Sequence, residues 1–520
     1  MNLRGTVLSG DLLGQVIAAV RDEQGQAVLG ATLFDGARFL DSAAFSEVLF
    51  QGPARFDKAV FEADTDFLSA RFADRVRFAE CSFHSTAMFS DVSFEGPAWF
   101  DGSTFNGPAF FARTCFSEDA WFAETTFLGT AWFDAVRCDG EVHFDSATFH
   151  GHTQLGPLSS GKDLNLSRAT FNTPPVIEAA APRVLCRQTR WTSTATLRLR
   201  YASVDLSDAV ADAPVKVSAH ARPFIGHQQR VNLNESALGS WDPGVRITSL
   251  RGVDTSHVIL TDVDLSGCQI TGAVNLDRIR LEGRCTFASS PTGWHWRRWR
   301  PFRWTRRRIL AEEQHWRATS GYPGWVADPT TDTPGPAGPE TLAPTYRHLR
   351  KSFEDAKNEP DAADFYYGEM EMRRHDRQRP RAERVLLAAY WALSGYGMRA
   401  SRALGWLAAA MAISIVLLMS LGLPDRTPRE GVKQISNSTG QVAMAVIEKP
   451  EPELTLPLDR RFTAKRFDQA LQIMLNSVVF RSSGQNLTTW GTYTEMLSRT
   501  AEPLLLGLAV LAVRGRIKRG

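Results

Sequence analysis

Between Phe34 and Leu155 a large apolar residue returns at alternating steps of five and six, an eleven-residue period that never slips. The positions are Phe34, Phe39, Phe45, Phe50, Phe56, Phe61, Phe67, Phe72, Phe78, Phe83, Phe89 and Phe94. They continue as Phe100, Phe105, Phe111, Phe116, Phe122, Phe127, Phe133, Cys138, Phe144, Phe149 and Leu155. Two residues before each stands a small or β-branched side chain, as at Ala37, Ala43, Val48, Ala54, Ala59, Thr65, Ala70, Val76 and on to Ala147. The residues between are mostly Asp, Glu, Ser, Gly, Arg and Thr. Neither a helical period of about 3.6 nor a strand period of 2 fits this rhythm, so the tract predicts a solenoid. A chain that turns a corner at each step places one large and one small side chain inward per side. Four sides then make a coil of 22 residues, and coils stack at the inter-strand spacing of ~4.8 Å with the rings in a column on the axis. Each buried Phe contributes roughly 1.5–3 kcal/mol. Coils hold only by stacking on neighbours, so both ends need caps.

Segments such as Phe56-Asp57-Lys58-Ala59-Val60-Phe61 and Phe100-Asp101-Gly102-Ser103-Thr104-Phe105 carry a resemblance to the pentapeptide-repeat family, in a Phe-rich form. The resemblance implies a mainly β fold, a right-handed four-sided β-helix. The chain departs from the strict five-residue pattern by one extra residue on alternate sides.

The flanks complete the plan. In residues 1–30, Ser9 is placed to cap a short helix with Leu12, Leu13, Val16, Ile17 and Val20 on one face, a cap for the first coil. The β-helix is expected over 31–290. Its rhythm passes Leu166 and Phe171, becomes irregular with insertions over 174–245, and returns from Leu250 to Phe287. Region 291–345 joins a Trp/Arg strip to a Pro-rich linker. The strip holds Trp294, Trp296, Arg297, Arg298, Trp299, Arg300, Arg303, Trp304, Arg306, Arg307 and Arg308. Trp favours the bilayer interface and Arg its anionic headgroups, so the strip is a candidate membrane surface; internal docking comes second and nucleic acid last.

Residues 346–400 predict a helical hairpin, with Tyr346, Leu349, Phe353 and Ala356 on one face, and a juxtamembrane helix. The run Asp364–Arg374 is similar to a segment of bacterial membrane-bound pentapeptide-repeat proteins, and its acids are placed to pair with Arg373 and Arg374. Within 401–520, Ala403–Leu423 is free of charge for 21 residues, enough to cross a ~30 Å hydrocarbon core, and Leu497–Val513 is a second span. Arg381, Arg384, Arg399 and Arg402 precede the first span and Arg514, Arg516, Lys518 and Arg519 follow the second. Both termini are therefore expected in the cytosol, with the chain in a bacterial inner membrane. A short helix at 466–480 between the spans resembles the pore module of two-helix potassium channels. Its pore-loop candidates are Arg481, Gly484, Thr488, Thr489 and Gly491, yet no run of the Thr-Val-Gly-Tyr-Gly kind is present.

Charge and chemistry narrow the function. Residues 31–150 hold 19 Asp and Glu against 8 Lys and Arg, an excess of 11 negative charges hidden in a whole-chain net of +2. Cys81, Cys268 and Cys285 occupy small inward slots and Cys138 an axial one, which reads as filling rather than disulfide or zinc chemistry. His143, His150 and His152 are read as outward and solvated, and no metal site or cofactor is expected. No HExxH, phosphate-binding loop or GxSxG is present, so no enzyme is expected. The expectation is a membrane-anchored, non-enzymatic scaffold whose partners are the lipid bilayer, a protein and a second copy of itself. The alternatives are an oligomeric channel-like protein and a DNA-mimicking inhibitor acting through the acidic solenoid.

Overall fold

A computed structural model describes the chain apart from residues 229–231, 298–299, 327–336, 426–432, 437–441, 446–453, 480–486 and 518–520. It divides into two compact units, Met1–Glu369 and Met370–Gly520.

The first unit is a β-solenoid. Two-residue strands pair in parallel with strands 22 residues on, as Phe39 with Phe61, Phe72 with Phe94 and Ala98 with Ala120. Among the described residues, two faces carry ten parallel strands each. The axis holds four columns of rings, one per side, rather than a single column. Phe34, Phe56, Phe78, Phe100, Phe122 and Phe144 make one; Phe39, Phe61, Phe83, Phe105, Phe127, Phe149 and Phe171 another. Phe45, Phe67, Phe89, Phe111 and Phe133 form the third, and Phe50, Phe72, Phe94 and Phe116 the fourth. Successive rings stand 4.4 to 5.1 Å apart, and rings of neighbouring columns meet edge to face. All of the axial phenylalanines from Phe34 to Phe149 are buried, none above 2% exposed.

The alternating steps have a backbone cause. Within each five-residue step the residue two beyond the axial one adopts positive φ: Gly36, Glu47, Lys58, Ser69, Glu80, Asp91 and on to Ser146. Between Phe39 and Phe149 no six-residue step has one among the described residues. A tight corner thus needs a left-handed residue, at about 1–2 kcal/mol when it is not glycine, and an extra residue lets the other corners turn without it.

After Phe149 the cross-section changes. Thr153–Ser160 pairs with both Ala131–Phe133 and Val136–Cys138, so two neighbouring sides merge into one long strand. Coils then repeat every 20 residues, as Thr170 with Arg190 and Val176 with Thr196. The irregularity expected over 174–245 is absent from its first part, because strands from Val176–Ala180 to Val215–Ala219 keep full register. The rhythm fades in the sequence because the coil has shortened and Leu166, Cys186 and Leu206 replace rings inside. One excursion remains, since Val215 pairs with Val258, 43 residues on.

Both ends are covered. The first coil begins before residue 31, where Val7–Leu8 pairs with Arg38–Phe39. Helix α1 (Gly10–Ala19), capped by Ser9, then lies against Ala43–Ala44 in place of a strand; Leu13 is its buried residue and Leu12 is exposed. At the other end stand α2 (Ala311–Thr319), α3 (Pro339–Asp355) and the first part of α4 (Glu359–His375). The buried Glu312 turns Oε1 toward the last coils and accepts the N–H groups of Ile270 at 2.6 Å and Thr271 at 2.8 Å. It supplies the acceptor that the next coil would have provided. Ser352 donates to the Ile279 carbonyl at 2.7 Å, and Phe287 packs edge-on against Phe353 and Phe365. Region 346–369 is therefore part of the solenoid's cap rather than of a separate hairpin, with Tyr346, Leu349 and Phe353 buried and Ala356 exposed.

The second unit contains α5 (Arg381–Ser394), α6 (Ala400–Leu417), which runs on in a π-helical turn to Gly422, α7 (Ala464–Val479) and α8 (Thr489–Ile517). Ala400–Gly422 and Thr489–Val513 are long and apolar enough to cross a membrane.

Two outcomes follow from the axis and its cap. Phe89→Ala removes a ring stacked on both sides, and chemical unfolding of the variant should show a loss of about 3–5 kcal/mol. Burial raises the Glu312 carboxyl above its usual range, and the hydrogen bonds it accepts offset that only in part. The native state then holds its proton to higher pH than the unfolded chain, so this group's contribution to stability falls as pH rises above about 4.5. Glu312→Gln keeps the oxygen that accepts from Ile270 and Thr271 but cannot ionise. Measured by denaturation from pH 5 to 8, it should gain on the parent as pH increases.

Candidate functional site

Three places were marked by composition: the solenoid's outer sides, the Trp/Arg strip and the segment between the apolar helices. On the solenoid, the residue just before each axial Phe points outward. At 11-residue spacing these are Met88, Trp99, Phe110, Trp121 and Trp132. They alternate between opposite sides, because each side is revisited after 22 residues: Trp99 pairs with Trp121, and Phe110 with Trp132. The excursion after Ala219 crosses the side that carries Trp132. There His227 and Gln228 donate backbone N–H groups to Asp134 at 2.9 and 3.1 Å, and His227 also meets Gln154 and Glu178. The opposite side forms a ladder from Arg55 and Arg77 through half-exposed Trp99 and Trp121 to His143. His143 lies flat on Trp121 at 3.7 Å and meets Glu141 at 3.2 Å. Asp57 bridges Arg55 and Arg77, while Asp101, raised by burial, accepts from the Ala123 N–H at 3.0 Å. The signal for this ladder was the Trp-Phe pairs at 99–100 and 121–122, where reading the axis alone passed over the first member.

The Trp/Arg strip divides. Its backbone forms a hairpin, Gly293–Arg297 against Arg300–Trp304. Trp294 and Trp296 project outward, 65% and 67% exposed, and Arg306 is exposed. Arg298 and Trp299 lie outside the described residues, as do the side chains of Arg297, Arg300 and Arg303. Trp304 and Arg307 turn inward, which corrects their reading as membrane-surface residues, while Arg308 keeps a partly exposed side chain. Arg307 and Arg317 both pair with the fully buried Glu313, and Tyr346 donates its hydroxyl to the same carboxylate. Burial works against the charge of Glu313, but the two guanidinium groups outweigh it and hold its carboxyl below the usual range. Arg317 is enclosed by Trp304, Trp316, Tyr322 and Trp325, with ring centres 5.0 to 5.4 Å from its guanidinium carbon. Arg308 donates its backbone N–H to Asp364 at 2.8 Å and its side chain to Asp361. Of the acids in the 364–374 run, Glu371 pairs with Arg374 at 3.1 Å, whereas Glu369 pairs with Arg350 at 2.8 Å.

In the second unit, Arg374 and Arg402 sit over Trp391, with ring centres 4.4 and 5.0 Å away. Arg466 on α7 pairs with Asp425 and donates to the Met419 and Leu423 carbonyls at the end of α6, at 3.0 and 2.6 Å. Of the pore-loop candidates, Arg481 and Gly484 lie outside the described residues. Thr488, Thr489 and Gly491 do not form a loop. Thr488 caps α8, accepting from the Gly491 N–H at 3.1 Å, and its hydroxyl donates to Leu421 and Gly422. Gly491 touches Gly422 so closely that a Cβ there would lie 2.6 Å from the Gly422 carbonyl oxygen. These residues clasp α8 to the end of α6, a task that needs small side chains and a hydroxyl.

The buried thiols of Cys138 and Cys186 are pushed up to about 12 by desolvation, and that of Cys81 is raised for the same reason. His150 sits against Asn172. Among the described residues no group of three His, Cys, Asp or Glu side chains is placed to hold a metal ion.

A family model described as pentapeptide repeats matches nine copies, over residues 34–82, 45–93 and 89–137. No curated protein and no solved structure matches the chain. Residues 34–137, with their inward phenylalanines and parallel 22-residue coils, are similar to the pentapeptide-repeat family and lie within a longer β-solenoid.

Proposed function

We propose that this protein is a membrane-anchored, non-enzymatic scaffold. In this reading α6 and α8 cross a bacterial inner membrane, both termini lie in the cytosol, and the solenoid offers its Trp99–Trp121 side to a protein partner. The observation that carries the binding role is that side itself. Large rings held half-exposed on a rigid sheet are costly to leave in water and are common energetic anchors of interfaces. The acidic excess of the same tract favours a basic partner. Trp294 and Trp296, on the outside of their hairpin, fit contact with lipid headgroups. Anchoring draws support from the two long apolar helices and from the arginines before α6.

A channel-like reading is favoured by one observation. Helix α7 stands in sequence between the two apolar helices, and its Ala470 and Ile473 pack on Leu418, Met419 and Leu423. Planar-bilayer recording of the folded full chain decides it, and silence would end that reading.

Two measurements test the scaffold. Full-length protein used as bait should retain a partner that the Trp99→Ala/Trp121→Ala variant binds at least about tenfold more weakly, with unfolding unchanged to within about 1 kcal/mol. A membrane-impermeant maleimide should label Thr455→Cys in intact cells and Arg381→Cys only after lysis; the reverse pattern would invert the topology.

A further inference from the structure

We propose that the second unit binds a single-chain lipophilic cation, an alkylammonium whose head pairs with Glu502 while its chain lies in the groove between α6 and α8. This rests on reading those helices as membrane spans.

Glu502 lies midway along α8 and is 0% exposed. Ser414 of α6 donates its hydroxyl to Oε1 at 3.0 Å. The other oxygen, Oε2, is buried with no hydrogen-bond partner among the described residues. Arg499, three residues away, is taken by Glu495 at 2.6 Å. An acidic side chain inside a span is costly, and such groups normally find a partner. One hydroxyl is a poor partner for a carboxylate.

Beside it lies an apolar groove of about 470 Å³, whose walls include Ala410, Ile413, Leu417, Trp490 and Leu497, with Glu502 itself as a lining residue. That volume is in the range of small-molecule sites. From Trp490 to Glu502 the groove follows twelve residues of α8, about 18 Å at ~1.5 Å per residue, on the order of a dodecyl chain. When ionised, Glu502 repels an anionic headgroup, whereas an ammonium group supplies both the countercharge and hydrogens for Oε2.

The test uses full-length protein in nanodiscs of zwitterionic lipid, dialysed against radiolabelled dodecylammonium at neutral pH, with 1-dodecanol as the uncharged probe. Dodecylammonium should show one saturable site per chain above lipid partitioning, and dodecanol none. Glu502→Gln should weaken binding at least about thirtyfold. Ala410→Trp, which fills the groove without touching the charge, should weaken it as well, and it decides the matter if Glu502→Gln fails to fold. Absence of a saturable site, or unchanged affinity in the folded Glu502→Gln or in the Ala410→Trp variant, overturns the site. Alkaline-carbonate washing of membranes from the same cells separates the two readings. Protein kept in the pellet without binding leaves the spans intact and removes the site, whereas release into the wash removes the spans themselves.

Discussion

The spacing between paired strands governs the solenoid. Every coil must lie one strand separation above the last, ~4.8 Å, because its backbone groups are satisfied by the coils on either side. The side chains inside inherit that repeat. Ring separations of 4.4 to 5.1 Å along each column are the strand spacing transferred to the axis. Face-on stacking is not the arrangement that isolated aromatic rings prefer. Backbone pairing imposes it, and the edge-to-face contacts between columns recover the preferred geometry sideways, as between Phe100 and Phe111 at 5.5 Å.

A stack of this kind must end, and its ends show how one local sequence serves two opposite electrostatic tasks. Glu312 and Glu313 are neighbours on α2 and both are buried. Glu312 faces the backbone N–H groups of Ile270 and Thr271, so burial dominates and its proton is held more tightly. Glu313 lies between Arg307 and Arg317, and two nearby positive charges reverse the outcome. Removing one partner from such a buried group leaves an uncompensated charge, so the arginines of the strip are bound into the cap as structural elements. The aromatic enclosure of Arg317 shields the same pair from water.

The axis was legible in the sequence because its constraint is strict: an inward slot filled every five or six residues leaves a period that composition cannot imitate. Trp99 and Trp121 carry the same period, but an outward position tolerates many residues, so their meaning emerges only when the coil shows which ones share a side. Glu312 left no sequence signal, since its partners are backbone N–H groups 41 and 42 residues away. Trp304 and Trp296 read alike in the strip, yet one is drawn into the cap and the other projects outward. Composition favours both fates equally, and the register of a five-residue hairpin strand decides between them. Thr488 and Gly491 suggested a loop because small polar residues serve loops and helix caps alike; the close approach of Gly422 distinguishes the two.

The two units differ in what they hide, and that contrast bears on the solvent each is built for. In the solenoid the axial side chains are mostly phenylalanines, leucines and small residues, while most of the acids lie off the axis. In the helical unit large apolar groups such as Leu404, Ile413, Val416, Leu497, Leu504 and Leu511 project outward. Ser414, Ser498 and Glu502 are enclosed. An outer surface of that kind in water would expose far more contiguous apolar area than soluble proteins leave uncovered. In a hydrocarbon phase it costs nothing, and the polar groups then have reason to turn inward. The inversion is a property of which residues face which way, so it supports the membrane reading independently of helix length.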